Sequence, residues 1–396
     1  MLIANSTRFI LRHVRKKLTC SQTRLQASML RQKGAIVKSP RVAIIADDLT
    51  GALDVCAPFA RRGLRCRVAV SPSGLADALD RGGDVICVNT ASRELDAEAA
   101  SRIVRHVASE LAGSRPGIVF KKIDSRLKGH VSAETGACQE VFRRPRVLVA
   151  PAIPAQGRFV QAGMIVGKGV AAPIDVADKL DAGLDATIGN GTTNLDMEHL
   201  AGRHMDQALL VGASGLGEGL AAALSPVPPA QLLTATLPLL FAIGSHDPVT
   251  RAQIDRLGDI AHQIVSLDGL VSTVGTAERT LIRASSDPDD PQHGAVLAQF
   301  GLSIANLLQS GRFASALLCG GETAQTVLNA LGVLELELVG ETLPGIALSR
   351  IELAGQTLTI LTKSGGFGTS DDLCHIAQSA RRASPGIDPN RVGIPA

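Results

Sequence analysis

From residue 42 onward, short runs of β-branched and other apolar residues recur along the chain. Each is followed by a longer stretch whose apolar positions return at helical spacing. That alternation predicts βαβ units and a parallel sheet buried on both faces. In the first half the strand-like runs are Val42–Ala46, Cys66–Val70, Val85–Asn89, Ile118–Ile123 and Val147–Ala150, with helical patterns at Gly51–Arg62 and Leu95–Leu111. Residues 163–203 read as loop-rich, after which Ala208–Val211 is strand-like and Leu216–Leu224 helical. Ser225-Pro226-Val227-Pro228-Pro229 cannot continue a helix, so residues 225–235 read as a linker. Beyond it the pattern predicts a strand at Leu239–Ile243, helices at Val249–Leu257 and Ala295–Leu308, and a strand at Ala316–Cys319. Short, partly antiparallel strands follow at Leu334–Val339, Ile346–Leu353 and Thr357–Leu361, with a closing helix at Asp371–Arg382. The expectation is an α/β protein of two domains, 41–224 and 236–390. Each has a mainly parallel sheet flanked by helices, and the second sheet is partly mixed.

Composition narrows the function. The 396 residues contain no Trp or Tyr and nine Phe, which argues against a surface that stacks nucleic-acid bases. Seven scattered cysteines form no C-x-x-C pair, so neither a zinc ribbon nor a disulfide framework is indicated, and a reducing compartment fits. No apolar run approaches the roughly 20 residues of a membrane-spanning helix, and the expected location is the cytoplasm. Charge is uneven: ten of the 40 basic residues, Arg8 to Arg41, precede the first acidic residue, Asp47. The remaining 30 face all 37 acidic residues, so the body of the chain carries a net −7 and the overall +3 describes its start. Residues 1–40 read as a basic, disordered extension; read instead as a transit peptide, they would place the protein in an organelle.

In an open parallel sheet, ligands bind beyond the carboxyl ends of the strands, so the turns after the apolar runs are where chemistry is sought. After Val42–Ala46 come Asp47-Asp48-Leu49-Thr50-Gly51. One Asp suffices to cap a helix; the adjacent pair leaves a carboxylate for general-base catalysis or for a metal ion. A phosphatase of the haloacid dehalogenase type needs Asp-x-Asp-x-Thr here, and Ala46 occupies the position of its nucleophile. After Ile118–Ile123 the segment Lys121-Lys122-Ile123-Asp124-Ser125-Arg126-Leu127-Lys128-Gly129-His130 mixes cations, an acid and a hydroxyl. Such a set suits a carboxylate-bearing polyol. Pro151-Ala152-Ile153-Pro154-Ala155-Gln156-Gly157-Arg158 ends in an arginine able to clamp an anion. In the second half, Gly244-Ser245, Cys319-Gly320-Gly321-Glu322-Thr323 and Lys363-Ser364-Gly365-Gly366-Phe367-Gly368 are glycine-rich turns at strand ends, suited to phosphate. Neither a Walker A nor a G-x-G-x-x-G sequence occurs. The nine histidines show no metal-triad spacing, so no tight metal site is expected.

Taken in order, these motifs resemble the four-carbon acid sugar kinase family across about residues 41 to 385. The resemblance implies a substrate-binding domain followed by a nucleotide-binding domain. It implies transfer of a phosphoryl group from ATP, as Mg-ATP, to a hydroxyl of threonate, erythronate, 3-oxo-tetronate or a related branched oxo acid. Asp47 or Asp48 then becomes the expected catalytic base. Thr50, Lys122, Asp124, Ser125, Arg126, Lys128 and Arg158 become the expected substrate contacts. Ser245, Gly320, Gly321, Glu322, Thr323, Lys363, Ser364, Gly365 and Gly366 become the expected ATP contacts, with Lys363 offsetting charge on the transferring group. Arg126, Lys128 and His130 stand where the family commonly has Thr, Arg and Asn, which removes one guanidinium fork and adds another. The expected partners are the sugar acid and ATP, without nucleic acid or membrane, and a homodimer is compatible with the pattern. A non-catalytic sugar-acid sensor and a sugar-phosphate hydrolase are the competing readings.

Overall fold

A computed structural model describes residues 39–271, 274–285 and 291–382. The basic segment 1–38 and the end of the expected second domain lie outside the described residues. The chain runs β1 (Val42–Ala46), α1 (Leu49–Arg61), β2 (Cys66–Ala69), α2 (Leu75–Arg81), β3 (Val85–Asn89), α3 (Ala97–Gly113), β4 (Ile118–Lys122), α4 (Val131–Phe142) and β5 (Arg146–Ala150). The segment expected to be loops contains β6 (Arg158–Gln161), β7 (Met164–Gly167) and β8 (Ile174–Asp175), a separate small antiparallel sheet, then β9 (Ala186–Ile188) and α5 (Asn194–His204). β10 (Ala208–Gly212) and α6 (Ser214–Leu224) complete the first half.

The second half comprises β11 (Thr236–Leu237), β12 (Leu239–Ile243), α7 (Pro248–Leu257), β13 (His262–Ser266), β14 (Arg279–Ala284), α8 (His293–Gln309), β15 (Ser315–Cys319) and α9 (Gly321–Ala330). β16 (Glu335–Leu343), β17 (Ile346–Leu353), β18 (Gln356–Lys363), α10 (Asp372–Ser379) and β19 (Arg381–Arg382) follow. The closing helix is shorter than its periodicity suggests. Ala380 leaves the helical region, and Arg381–Arg382 pairs with Thr236–Leu237 instead. The pattern did not reveal β13 or β14. β13 is an edge strand, mostly exposed, with little apolar alternation to betray it.

All the long strands belong to one 14-stranded sheet, ordered β13-β14-β12-β15-β18-β17-β16-β2-β3-β1-β4-β10-β5-β9. Its flanks are parallel, and the meander β16–β17–β18 supplies the antiparallel portion. The halves meet where β16 pairs antiparallel with β2, with Glu335 opposite Ala69 and Leu338 opposite Cys66. Ion pairs join the same seam: Arg67 reaches Glu335 at 3.3 Å and Arg61 reaches Glu341 at 3.1 Å. The central strands β1, β3, β4, β10, β12 and β15 are buried along their apolar lengths, which explains their unbroken apolar runs. Leu336, fully buried on β16, packs in the shared core of both halves. Leu336→Ala is expected to lower the stability of the whole chain by about 2–5 kcal/mol. Denaturant unfolding followed by circular dichroism checks this, with both halves melting in one transition.

Candidate active site

Register decides which turns become neighbours. In the first half Ala46 lies opposite both Asn89 and Lys122, and Lys122 lies opposite Gly212. The turns after β1, β3, β4 and β10 therefore emerge together. In the second half Ile243 lies opposite Cys319, and Cys319 opposite Lys363, so the three glycine-rich turns also share one edge.

Asp48 is the N-cap of α1. Its carboxylate accepts from the Gly51 amide at 3.2 Å and from the Thr50 hydroxyl at 2.7 Å. Capping ties down one end of the carboxylate and leaves it half-buried at the helix start. Gly51 is needed for space: a Cβ there would stand 2.7 Å from the Lys122 ammonium and would collide with Asp48 Oδ1. Lys122 and Asp48 are thus held side by side across a missing side chain.

Asp47 is buried, 3% exposed, and receives a two-pronged bond from Arg93, at 2.8 Å to each oxygen. The same guanidinium donates to Asp48 at 2.7 Å. Burial pushes the Asp47 carboxyl upward, but the charge of Lys121 and the bonds from Arg93 outweigh it and hold it below the ordinary value. Lys121 is itself fully buried, paired with Glu134 at 2.7 Å and donating to the Lys122 carbonyl at 2.9 Å. Arg93 and the Lys121–Glu134 pair were not among the expected site residues. Arg93 could have been found by the rule that found the others, since Thr90-Ala91-Ser92-Arg93 is the turn after β3. Asp54, six residues beyond Asp48 on α1, was also missed: burial raises its carboxyl, opposed by the charge of Lys122 and the nearby Ser214.

The segment after β4 folds as a tight turn. Asp124 accepts from the Arg126 amide at 2.9 Å and the Lys128 amide at 3.4 Å, so this expected substrate contact also shapes its own loop. The turn lies against the acidic pair, for a Cβ on Gly129 would be 3.2 Å from Asp47 Oδ2. Arg158, from the first strand of the small sheet, donates to the Ser125 hydroxyl and, at 3.1 Å and 3.2 Å, to the Lys168 carbonyl. Burial and the neighbouring Arg126 both lower its proton affinity, partly offset by Asp124. Arg126 and Lys128 are exposed. Among the described residues neither they nor Arg158 nor Lys122 forms an ion pair with an acidic side chain, a cationic cluster suited to a substrate anion.

Across the sheet, α9 starts at Gly321 without a side-chain cap, leaving its first amides available to an anion. Gly320, with φ of 108°, adopts a backbone that other residues rarely reach and turns the chain sharply off β15. Thr323 is buried against Gly244 and Gly320, so it closes the strand ends by packing; Glu322 is exposed beside it. Ser245 lies against Gly365, close enough that a Cβ there would collide with its hydroxyl. Ser364 is half-buried and Gly366 exposed on the same loop.

Lys363 differs from the expectation of a charge aimed at the transferring group. It is fully buried, and its ammonium donates to the Ser364 and Gly365 carbonyls, both at 3.0 Å. Burial lowers its proton affinity. Its place is beneath the loop, holding the backbone in shape with Thr250, whose hydroxyl donates to the Gly365 carbonyl at 2.7 Å.

The two groups of turns meet where Thr50 faces Gly321. A Cβ on Gly321 would lie 3.8 Å from the Thr50 hydroxyl and methyl, so the partner of Asp48 abuts the open end of α9.

Two family models match the chain. The model of a sugar-binding N-terminal domain matches residues 42–173, and that of a nucleotide-binding C-terminal domain matches residues 240–373. A D-threonate kinase of Salmonella typhimurium is 26% identical over 84% of this chain and 97% of its own length. A 3-oxo-tetronate kinase of Pseudomonas fluorescens is 26% identical over 84% and 95%. The solved structure of Haemophilus influenzae protein HI1011 has the same fold, with a TM-score of 0.65 at 19% identity, covering 85% of this chain and 99% of that one. The matches define a protein that joins a sugar-binding segment to a nucleotide-binding one in a single α/β sheet. The chain belongs to the four-carbon acid sugar kinase family.

Asp47 has a clear expected signature. Because its carboxyl is held low, its contribution to stability is present above the ordinary carboxylate value of 3.8 and is lost as pH falls through and below it. Asp47→Asn is expected to cost about 3–5 kcal/mol at neutral pH, by stripping Arg93 and Lys121 of a buried partner. The gap to the unsubstituted protein should close as pH drops below about 4, which thermal melts across pH would record.

Proposed function

We propose that the protein is an ATP-dependent kinase that phosphorylates a hydroxyl of a small sugar acid. One observation carries the reading: Thr50, bonded to the half-buried Asp48, lies against Gly321 at the uncapped start of α9. A carboxylate able to accept a proton thereby adjoins a helix terminus able to hold phosphate, as in-line transfer requires. The names of the related kinases support the substrate class, a four-carbon acid sugar.

In this reading the acid's carboxylate is held by Arg126 and Arg158, with Lys128 at the entrance and Asp124 and Ser125 beside the hydroxyls. Asp48, the more exposed of the two carboxylates, is the proton acceptor. Both oxygens of Asp47 are taken by Arg93 and its proton affinity is depressed, so its part is to hold Arg93 in place. Lys122, near Asp48, takes the part expected of Lys363, a cation close to the transferring group. ATP phosphates rest on the amides of the 320–323 and 364–366 turns beside Ser245, with Lys363 fixing the second turn from below. Mg2+ bound with ATP neutralises phosphate charge. The ion would be held chiefly by the phosphates and water, with Glu322 the carboxylate beside them. No helix among the described residues is long and apolar enough to cross a membrane.

The test is ADP release from Mg-ATP with a panel of four-carbon acids, their 3-oxo forms and branched oxo acids. Turnover with one member is expected. ATP binding without turnover on any member points to a substrate outside the panel, silence without ATP binding favours a sensor, and phosphate release from sugar phosphates favours a hydrolase. Asp48→Asn is expected to lower kcat by about 10²–10⁴-fold while leaving ATP affinity near that of the unsubstituted enzyme. An unchanged kcat removes Asp48 from the role of base.

A further inference from the structure

Asn89, at the end of β3, is 1% exposed, and its amide is used in three directions. Its nitrogen donates to the Val70 carbonyl at 2.9 Å and to Gln325 Oε1 on α9 at 2.7 Å. Its oxygen accepts from the Ala91 amide at 2.9 Å. Ala91 is a non-glycine residue at φ of 49°, so this bond pins a backbone turn that few side chains tolerate. The two residues that follow place their amides on the Asp47 carbonyl, Ser92 at 3.1 Å and Arg93 at 3.4 Å. Arg93 then carries the guanidinium that spans Asp47 and Asp48. On the far side, Gln325 lies one turn beyond Gly321, and its nitrogen is held by Asn329 at 3.0 Å, which sets the orientation of its amide.

A path of hydrogen bonds and short backbone segments therefore runs from the first turn of α9 to the acidic pair. α9 lies against the first half at Thr50 and, through Gln325, at Asn89. A helix behaves as a rigid rod over one turn, so a phosphate drawn onto its first amides pulls on both. Resting on the kinase reading above, we propose that Asn89 is a positioning residue which, through Gln325, couples nucleotide at the start of α9 to the placement of Arg93 on Asp48. ATP would then order the acceptor side of the site before transfer, linking the two ligands energetically.

Hydrogen exchange on the full chain, with and without a saturating non-hydrolysable ATP analogue, tests this. The amides of Thr90 to Arg93 are expected to exchange about fivefold or more slowly with the analogue bound, the lower end of ordinary coupling between sites. Gln325→Leu removes the acceptor for Asn89 and should bind the analogue without slowing those amides. Gln325→Glu keeps an acceptor oxygen and should restore the effect. Gln325→Met, similar in length but without the acceptor, takes the place of the Leu variant if that one does not fold. Slowing that persists in Gln325→Leu or Gln325→Met overturns the proposal, as does its absence in an unsubstituted protein that binds the analogue. Failure of the analogue to bind at all overturns the kinase reading along with it.

Discussion

The arrangement of the site depends on parallel strands that end in register. A parallel pair places its carboxyl ends at the same edge, and that edge can carry unpaired amides, caps and charges without leaving them buried and unmet. Here Ala46, Asn89 and Lys122 stop level with one another, as do Ile243, Cys319 and Lys363. Shifting any of these strands by one residue would turn its side chains to the opposite face and carry its turn away from the others.

The antiparallel meander makes one sheet out of two such edges. β18 runs parallel to β15, β17 and β16 reverse direction, and β16 meets β2 antiparallel, so both sets of turns belong to one continuous ladder. Salt bridges from Arg61 and Arg67 tie the seam. Any closure of the halves over ligand must be accommodated in this hydrogen-bonded region as well as in residues 225–235. That favours small displacements over wide opening.

Electrostatics separates two adjacent carboxylates into different tasks. Asp47 sits between Lys121 and the fork of Arg93, remains ionised, and holds the guanidinium. Asp48, at the helix start, stays partly exposed. A similar division separates the lysines. Lys122 lies beside Asp48, whereas Lys363 is enclosed by the carbonyls of its own loop. Residue type and position along a strand do not distinguish the two; only the path of the following backbone does.

The sequence by itself determined the α/β class, the main buried strands, the unstructured proline stretch and the turns that carry carboxylates, cations and glycines. Apolar runs and turn residues are local signals, and both survive in one dimension. The edge strand β13, the small sheet that brings Arg158 to Ser125, and the end of α10 were decided by pairing with distant segments, for which the local pattern has no counterpart. The same holds within the site. Asp47, Asp48, Thr50 and Lys122 were legible because each ends or follows a strand, a position Arg93 shares, while Asp54 and Asn89 acquire their places through partners far away in the chain, and Lys121 with Glu134 only through burial side by side. Tertiary structure alone decides which charge is enclosed with a partner and which stays partly exposed, because burial and register set the energy of each charge.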